Sequence, residues 1–339
     1  MGKRILLTGG AGFIGSHTFV ALAEAGHEVT ILDSFENAHR DVPGRLAQIV
    51  GQPVDVIECD IRDARALDGA FSGRGFDAVV HFAARKSIAE GEADPVGYYQ
   101  SNCTGLINVV AAMRAHDVNA IVFSSSAAIY GNTDRVPIRE DDAVAPMNTY
   151  ARTKAIGENI LTDVARSDPG FIVGILRYFN PVGAHPSGLI GEDPSQPPSN
   201  LVPVIARVAN GELPELMIYG NDYPTPDGTG VRDYIHVSDL ARGHVLSLEA
   251  LLTRGQGHLV NLGTGRGHSV LEVLDAYQDI CGRKLAHQVV ARRQGDAAVS
   301  FADVSLARDV LGFEAQHDLR AMCESNWRFS RRSASPAGG

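Results

Sequence analysis

The first half of the chain alternates short apolar segments with longer amphipathic ones, and this pattern limits the folds that the chain can adopt. The strand-like segments are 4–8, 27–33, 54–59, 76–82, 119–124 and 171–178, and the main helical segments are 15–25, 98–116 and 150–166. Near-continuous apolar strands joined by helices of ten or more residues are typical of a parallel sheet covered on both faces. The pattern therefore predicts an α/β fold with a doubly wound parallel sheet.

The composition changes after residue 180. Segments 181–203 and 220–230 are rich in Pro, Gly, Ser and Asn, whereas 237–252 is again helical in pattern and 258–262 strand-like. We interpret 1–180, with returning segments about 237–262, as the main domain and 181–330 as mainly a smaller C-terminal lobe beside a cleft. The small, polar residues 331–339 predict a frayed tail.

Charge and composition exclude several classes of function. The formal net charge is −10, and only four of the 339 residues are lysines. Non-specific binding to nucleic acid or to an anionic membrane needs a positive surface, so we expect neither partner. The four cysteines are far apart and lack zinc-site spacing, which predicts reduced thiols and no metal. Without a signal-peptide pattern or an apolar run of about 20 residues, a cytoplasmic protein is expected.

A glycine-rich loop follows the first predicted strand and opens the first helix. Gly9, Gly12 and Gly15 have the spacing G-x-x-G-x-x-G, which allows a tight turn and a close approach of backbone amides to a pyrophosphate. Asp33 ends the second strand, where a carboxylate accepts hydrogen bonds from an adenosine ribose and repels a 2′-phosphate. Together they predict a dinucleotide site that favours NAD over NADP, a preference that the nearby Arg40 would soften.

Tyr150 and Lys154 are four residues apart in a predicted helix, so the phenol and the ammonium project from one face. With nine tyrosines and four lysines in the chain, this spacing is expected by chance only about 0.1 times. A neighbouring cation, together with the charge of an oxidised nicotinamide, lowers the pKa of a phenol, so that the tyrosinate takes a proton from a hydroxyl near neutral pH. Upstream, serines 124–126 end the fifth strand, where doubly wound folds bind ligands.

These motifs together resemble the extended short-chain dehydrogenase/reductase family. Within it, the segments 177–188 (RYFNPVGAHPSG), 220–225 (GNDYPT) and 228–237 (GTGVRDYIHV) resemble the UDP-glucose 4-epimerases. The likeness covers essentially the whole chain except the tail. It implies an NAD-binding Rossmann fold over 1–180, a UDP-sugar-binding lobe over 181–330, and a homodimer whose interface is formed by the predicted helices 98–116 and 150–166.

The resemblance also implies a role for each matching residue. Tyr150 would be the base and acid, Lys154 would bind the nicotinamide ribose and tune Tyr150, and Ser126 would hydrogen-bond the reacting sugar oxygen. The residues that match cofactor-binding positions are Gly9, Gly12, Phe13, Ile14, Gly15, Asp33, Asn37, Asp60, Ile61, Phe82, Ala83, Lys86, Asn102, Tyr150, Lys154 and Phe179. Those that match substrate-binding positions are Ser126, Tyr150, Asn180, Asn200, Leu201, Arg232, Arg293, Asp296 and Ser300.

The implied reaction is a redox cycle without net oxidation. The hexose is oxidised at C4 with NAD, the 4-keto sugar turns over in the pocket, and reduction on its other face inverts C4, which interconverts UDP-glucose and UDP-galactose. The UDP must be held firmly and the hexose only loosely. Ser300 lies where some relatives have a bulky tyrosine against the C2 substituent, so room for UDP-N-acetylglucosamine and UDP-N-acetylgalactosamine is expected.

Other functions are compatible with the same fold. A nucleotide-sugar 4,6-dehydratase typically carries an Asp-Glu pair just after the first hydroxyl residue of the strand-end cluster, where this chain has Ser-Ala-Ala. A decarboxylase and a UDP-uronate 4-epimerase are further rivals, and no residue identified above decides how the C6 group of a uronate would be bound. A non-catalytic NAD-binding regulator would not need Tyr150, Lys154 and Ser126.

Overall fold

A computed structural model describes residues 2–133, 135–193, 200–293 and 296–334. Its strands are β1 (Arg4–Thr8), β2 (Glu28–Asp33), β3 (Asp55–Glu58), β4 (Ala78–His81), β5 (Ala120–Ser126), β6 (Ile172–Tyr178), β7 (Asn180–Val182), β8 (Leu216–Tyr219), β9 (Val231–His236), β10 (His258–Leu262), β11 (Gly267–Ser269), β12 (His287–Val290) and β13 (Val299–Ser300). Its helices are α1 (Phe13–Glu24), α2 (Val42–Val50), α3 (Ala64–Phe71), α4 (Ile88–Ala93), α5 (Pro95–Tyr99), α6 (Gly105–Ala115), α7 (Thr149–Ser167), α8 (Leu201–Asn210), α9 (Val237–Arg254), α10 (Val270–Cys281), α11 (Ser305–Leu311) and α12 (Leu319–Ala334).

Seven strands form one parallel sheet in the spatial order β10-β6-β5-β4-β1-β2-β3. The order reverses between β1 and β4, as in a doubly wound Rossmann fold. The predicted fold class is therefore confirmed. The strand predicted at 258–262 is β10, which pairs with β6 and brings the chain back to this sheet.

Side chains on alternate positions of the strands build two separate cores, one on each face of the sheet. One face packs on α1 and α9, with buried Ile5, Leu7, Val80, Val122 and Leu248. The other packs on α3, α6 and α7, with buried Leu6, Val79, Ile121, Leu106 and Leu161. Since both faces are buried, each strand reads as a continuous apolar run rather than an alternating one.

The helices of the main sheet region differ from the sequence prediction in two ways. Helices α2, α3 and α4 were not predicted. In the first turn of α2, Pro43 and Gly44 look like a loop, although proline fits that position. The single helix predicted over 98–116 is divided into α5, a π-helical turn at Gln100–Thr104, and α6. That turn carries Asn102, and π-turns inside helices are frequent at functional sites.

Most elements after residue 180, apart from α9, β10 and α11, build a smaller lobe outside the seven-stranded sheet. Strand β9 is flanked by β11 and β13 and also pairs with β7, while β8 pairs with β12. Helices α8, α10 and α12 share a core with buried Val202, Ile205, Leu274, Tyr277 and Met322. The boundary at 180 stays a prediction.

The predicted tail at 331–339 differs in its first part. Helix α12 continues to Ala334, and the Arg332 guanidinium donates to the Ser187 carbonyl at 3.1 Å, which anchors this end. Residues 335–339 lie outside the described residues. Across the described part of the chain, no helix combines the length and the apolar character needed to span a membrane.

The sheet's reversal point depends on close backbone contact. Gly9 follows β1 with φ +70°, and a Cβ there would lie 2.6 Å from the backbone nitrogen of Ala83, just after β4. A Cβ on Gly15 would lie 2.3 Å from the Gly9 carbonyl oxygen. Only glycine permits this left-handed conformation together with this approach, so the two loops that follow β1 and β4 are packed directly on each other.

We expect Gly9→Ala to destabilise the protein by roughly 3 kcal/mol, because left-handed strain and overpacking add. Gly51→Ala is the matched control, since Gly51 has φ +73° but nothing within 4 Å of the added Cβ. Strain alone predicts a loss of about 1 kcal/mol there. Denaturant unfolding measures both, and equal losses would contradict the close-approach account.

Candidate active site

The glycine loop leaves the N-terminus of α1 open to an anion. The Gly9 amide donates to the Leu32 carbonyl at 2.8 Å, and the Gly12 amide donates to Gly9 at 3.2 Å, which folds the loop back on itself. Gly12 caps α1 without a side-chain hydrogen bond, and the first turn contains no acidic residue. Amides at a helix N-terminus favour negative charge. The loop, with Phe13 and Ile14 in the first turn, therefore fits the pyrophosphate of a dinucleotide.

Asp33 stands beside this loop at the end of β2. Its carboxylate accepts hydrogen bonds from the amides of Ala11 at 3.0 Å and Phe35 at 2.9 Å. Burial raises the pKa of Asp33, and the backbone hydrogen bonds offset part of that rise. Arg40 is bound at both guanidinium ends by the Glu58 carboxylate at 2.7 Å, so its charge is compensated. The arrangement fits a ribose with free hydroxyls better than a 2′-phosphate.

The remaining cofactor positions surround the same edge of the sheet. A cavity of about 350 Å³ opens next to the end of β2, lined by Ser34, Glu36, Glu58, Cys59, Asp60 and Arg62. Asp60 accepts from the Arg62 side chain, and Ile61 packs against Gly105. The Phe82 ring lies 4.6 Å from that of His244. Phe179 is buried, and Asn37 lies in the loop that follows β2.

Asn102 connects the loop that follows β4 to the helix that carries Tyr150. Its side-chain oxygen accepts from the Arg85 amide at 2.8 Å, and its nitrogen donates to the Arg85 carbonyl at 3.0 Å. The same nitrogen donates to the Thr153 hydroxyl at 2.9 Å. Asn102 therefore fixes the loop after β4 relative to α7, whose next residue is Lys154.

Tyr150, Lys154 and Ser126 meet at the carboxyl end of β5. The Lys154 ammonium is buried and donates to the Ser124 carbonyl at 2.6 Å. It lies 5.9 Å from the centre of the Tyr150 ring. The Ser126 side chain is near enough to the Tyr150 phenol to lower its pKa. This group can move a proton at a substrate hydroxyl.

The electrostatics of Tyr150 and Lys154 are dominated by burial. Burial raises the pKa of Tyr150, and the Ser126 side chain offsets part of the rise. Burial also lowers the pKa of Lys154 to about 8, while Cys103 and Glu158 oppose this. Lys154 alone thus does not bring the phenol near neutrality, because its ammonium is bound at the Ser124 carbonyl and desolvation dominates. The positive charge of an oxidised nicotinamide is needed as well.

Apart from Ser126 and Tyr150, the residues matched to substrate binding lie on the smaller lobe. Arg232 donates to Asp296 at 2.8 Å, and Ser300 pairs with Arg232 between β13 and β9. The Arg293 guanidinium stacks 3.9 Å above the Tyr219 ring. Asn180 is exposed in β7. These positions offer two guanidinium groups and amide side chains to a nucleotide diphosphate.

Glu192 connects the two sets of predicted residues. Its carboxylate accepts from the Lys86 ammonium at 3.0 Å and from the Asn200 amide at 2.6 Å. Asn200 immediately precedes Leu201, the first residue of α8. Lys86, in the loop that follows β4, and Asn200 of the smaller lobe are therefore bound to the same carboxylate. Among the described residues, no three His, Cys, Asp or Glu side chains are grouped to hold a metal ion.

Residues 5–263 match the family model described as the NAD dependent epimerase/dehydratase family. The chain belongs to this family. It is 46% identical to the UDP-glucose 4-epimerase of Bacillus subtilis (strain 168) over 325 residues, which is 96% of this chain and 96% of the relative.

Solved structures of epimerases agree with this assignment. One, at 47% identity and a TM-score of 0.96, is UDP-glucose-4-epimerase from Stenotrophomonas maltophila with bound NAD and formylated UDP-arabinopyranose, covering 98% of this chain and 99% of that chain. Another, at 42% identity and a TM-score of 0.92, is UDP-glucose 4-epimerase from Bifidobacterium longum in complex with NAD+ and UDP, covering 97% and 98%.

Three polar residues of this epimerase/dehydratase family member were not found from its sequence. Glu158 lies one helical turn beyond Lys154, so the same-face spacing that identified Tyr150 and Lys154 would have identified it. The Tyr178 hydroxyl is hydrogen-bonded to Ser124, and its place at the end of β6 was a usable signal. Glu192 carried no local signal, because its two partners are distant in the chain.

Proposed function

We propose that this chain is an NAD-dependent UDP-glucose 4-epimerase, which interconverts UDP-glucose and UDP-galactose. The main support for this activity is the grouping of Tyr150, Lys154 and Ser126 at the edge of the sheet where the glycine loop also lies. The named relatives, and the neighbours that contain NAD with UDP or a UDP-sugar, support the same substrate and cofactor.

The protein's part in the reaction is to orient the sugar and move one proton. The glycine loop, Asp33 and Lys154 would hold NAD, which would supply the hydride-transfer chemistry at C4. Tyr150 would remove the proton of the C4 hydroxyl and later give it back, with Ser126 hydrogen-bonded to the same oxygen. Lys154 would stabilise the phenolate by its charge. The hydroxyls and the ammonium are held by a rigid strand end and helix, so little reorganisation is needed.

Inversion at C4 requires that the nucleotide stay bound while the hexose turns. Arg232, Arg293 and Asn180 supply charged and neutral groups on the smaller lobe, which fit UDP. Asn200, which donates to the Glu192 carboxylate, adds an amide near Lys86 in the loop that follows β4. Such a division would hold UDP firmly and the hexose loosely, as rotation of a keto sugar within the site requires.

The rival functions are less well supported. A UDP-uronate 4-epimerase or another nucleotide-sugar enzyme has the same fold, but the relatives with 46% identity are UDP-glucose 4-epimerases. A non-catalytic NAD-binding regulator has no need for a proton-transfer group, and the contact between Tyr150 and Ser126 is intact here.

We also propose a homodimer that pairs through the region of α5, α6 and α7. Large apolar side chains are exposed there: Val96 at 66%, Ile107 at 50% and Ile156 at 37%. Burying such residues between two copies is favourable. The cysteines are free thiols, which supports a reducing compartment, and we place the reaction in the cytoplasm.

Tyr150→Phe is expected to lower kcat for UDP-galactose by roughly 10²–10⁴-fold, since it removes the proton-transfer group. Coupled turnover of UDP-galactose measures this, alongside the NAD content of the purified protein, which should not change. Tyr277→Phe is the control, because its hydroxyl lies in the core of the smaller lobe, where it donates to Asn326 at 2.9 Å. Full activity in Tyr150→Phe would contradict the proton-transfer roles proposed for Tyr150, Lys154 and Ser126.

Ser300 is predicted to leave room for an N-acetyl group at C2, so the wild-type protein should also convert UDP-N-acetylglucosamine. Ser300→Tyr should lower kcat/KM for that substrate by about 10-fold or more and leave UDP-glucose within about threefold, because bulk excludes only the larger substituent. Assays of both substrates on both proteins decide this. Absence of N-acetylated turnover by the wild type refutes the prediction.

A further inference from the structure

A buried ion pair lies directly behind the proposed catalytic group. The Glu158 carboxylate, one helical turn beyond Lys154 on α7, accepts from the Arg177 guanidinium at 2.9 and 2.7 Å. The side chains are only 8% and 6% exposed. The Ser125 hydroxyl also donates to Glu158. The two charges are thus compensated and enclosed, and one of them is tied to β5.

The register of the sheet explains why these three side chains meet. Ser125 of β5 lies opposite Arg177 of β6, so both point to the face covered by α7. Its neighbours Ser124 and Ser126 point to the other face, where Ser124 contacts Tyr178. The hydroxyl that anchors the ion pair therefore lies between the carbonyl that binds Lys154 and the serine that contacts Tyr150.

Arg177 extends the contact to a third strand. Its guanidinium donates to the Tyr130 hydroxyl and to the Glu140 carbonyl, each at 3.0 Å. Tyr130 donates to Asn261 of β10 at 2.7 Å. Each end of the guanidinium has a partner, which a buried charge requires, and the pair is fixed relative to β5, β6 and β10.

Lys154 faces few other charged or titratable groups. Tyr150 lies on its own helix, Cys103 on the π-helical turn, and His81 at the end of β4. Burial lowers the pKa of His81 to about 3, and the Lys154 charge adds to this effect. Glu158 is the carboxylate that acts on Lys154 from α7. The ammonium itself is bound to Ser124 and not to an acid.

We propose that Glu158 and Arg177 are positioning residues, which hold the serine-bearing end of β5 against α7 and maintain a compensated negative charge beside the Lys154 ammonium. The Glu158 carboxylate favours the charged form of Lys154 in this buried site, and the positive charge of Arg177 beside it offsets that effect. The importance of a protonated Lys154 rests on the proposed function, whereas the electrostatic coupling does not.

The scarcity of lysine makes the coupling measurable. Protein labelled with ¹³C at lysine Cε and loaded with NAD should give four signals, from Lys3, Lys86, Lys154 and Lys284. Lys154→Arg assigns the Lys154 signal, and its shift across a pH titration gives the pKa directly. This readout needs no turnover.

Substitutions of the two partners should act in opposite directions. Glu158→Gln leaves Arg177 uncompensated and should lower the pKa of Lys154 by at least about one unit, a tenfold change in its protonation. Arg177→Met leaves the carboxylate uncompensated and should raise it. The double variant removes both charges and should return the pKa to within about 0.3 unit of the wild type. Asp239→Asn, which removes a buried carboxylate bound to residues 316 and 317, should leave it unchanged.

Shifts in the same direction for both single variants, or no shift in either, would overturn the proposal, because general disruption does not change sign with the charge removed. Should one single variant fail to fold, the sign of the shift in the other still decides the matter. Loss of the proposed function would be seen separately, as absence of UDP-galactose turnover by the wild type, and would leave the titration result standing.

Discussion

The common direction of the seven strands is the constraint on which the site depends. Parallel strands end at one edge, so loops far apart in the chain meet there: the glycine loop after β1, Asp33 at the end of β2, Ala83 after β4 and Ser126 at the end of β5. Helix α7 then brings Tyr150 back to that edge. A site built from strand ends in this way is held by the cores on both faces of the sheet.

The parts of this arrangement that can be predicted from sequence are those set by residues close together in the chain. The alternation of continuous apolar segments with helical ones predicted the sheet. The four-residue spacing of Tyr150 and Lys154 predicted that they share a helix face, as α7 shows. The bridge at Glu192 was not predictable in this way, because Lys86 is 106 residues from it in sequence and only tertiary folding joins them. The π-helical turn at Asn102 is likewise set by its contacts with the loop after β4 and not by helix periodicity.

Electrostatics connects the acidic chain to its anionic ligands. A net charge of −10 argues against binding to polyanions, yet the proposed cofactor and substrate both contain pyrophosphate. Binding at such a site depends on local groups, which are the open N-terminus of α1 and the guanidinium groups of the smaller lobe. In the proposed catalytic group, burial raises the pKa of Tyr150 and lowers that of Lys154. The ionised forms of both side chains therefore depend on the charges around them.

In the proposed reaction, the protein inverts C4 of a UDP-hexose by removing and returning the same hydrogen. UDP-galactose deuterated at C4, incubated with the NAD-loaded protein in ordinary water, tests it most directly when the product is followed by NMR. The account predicts UDP-glucose that still carries deuterium at C4. Exchange of that deuterium for solvent hydrogen, or failure to form UDP-glucose, would contradict it.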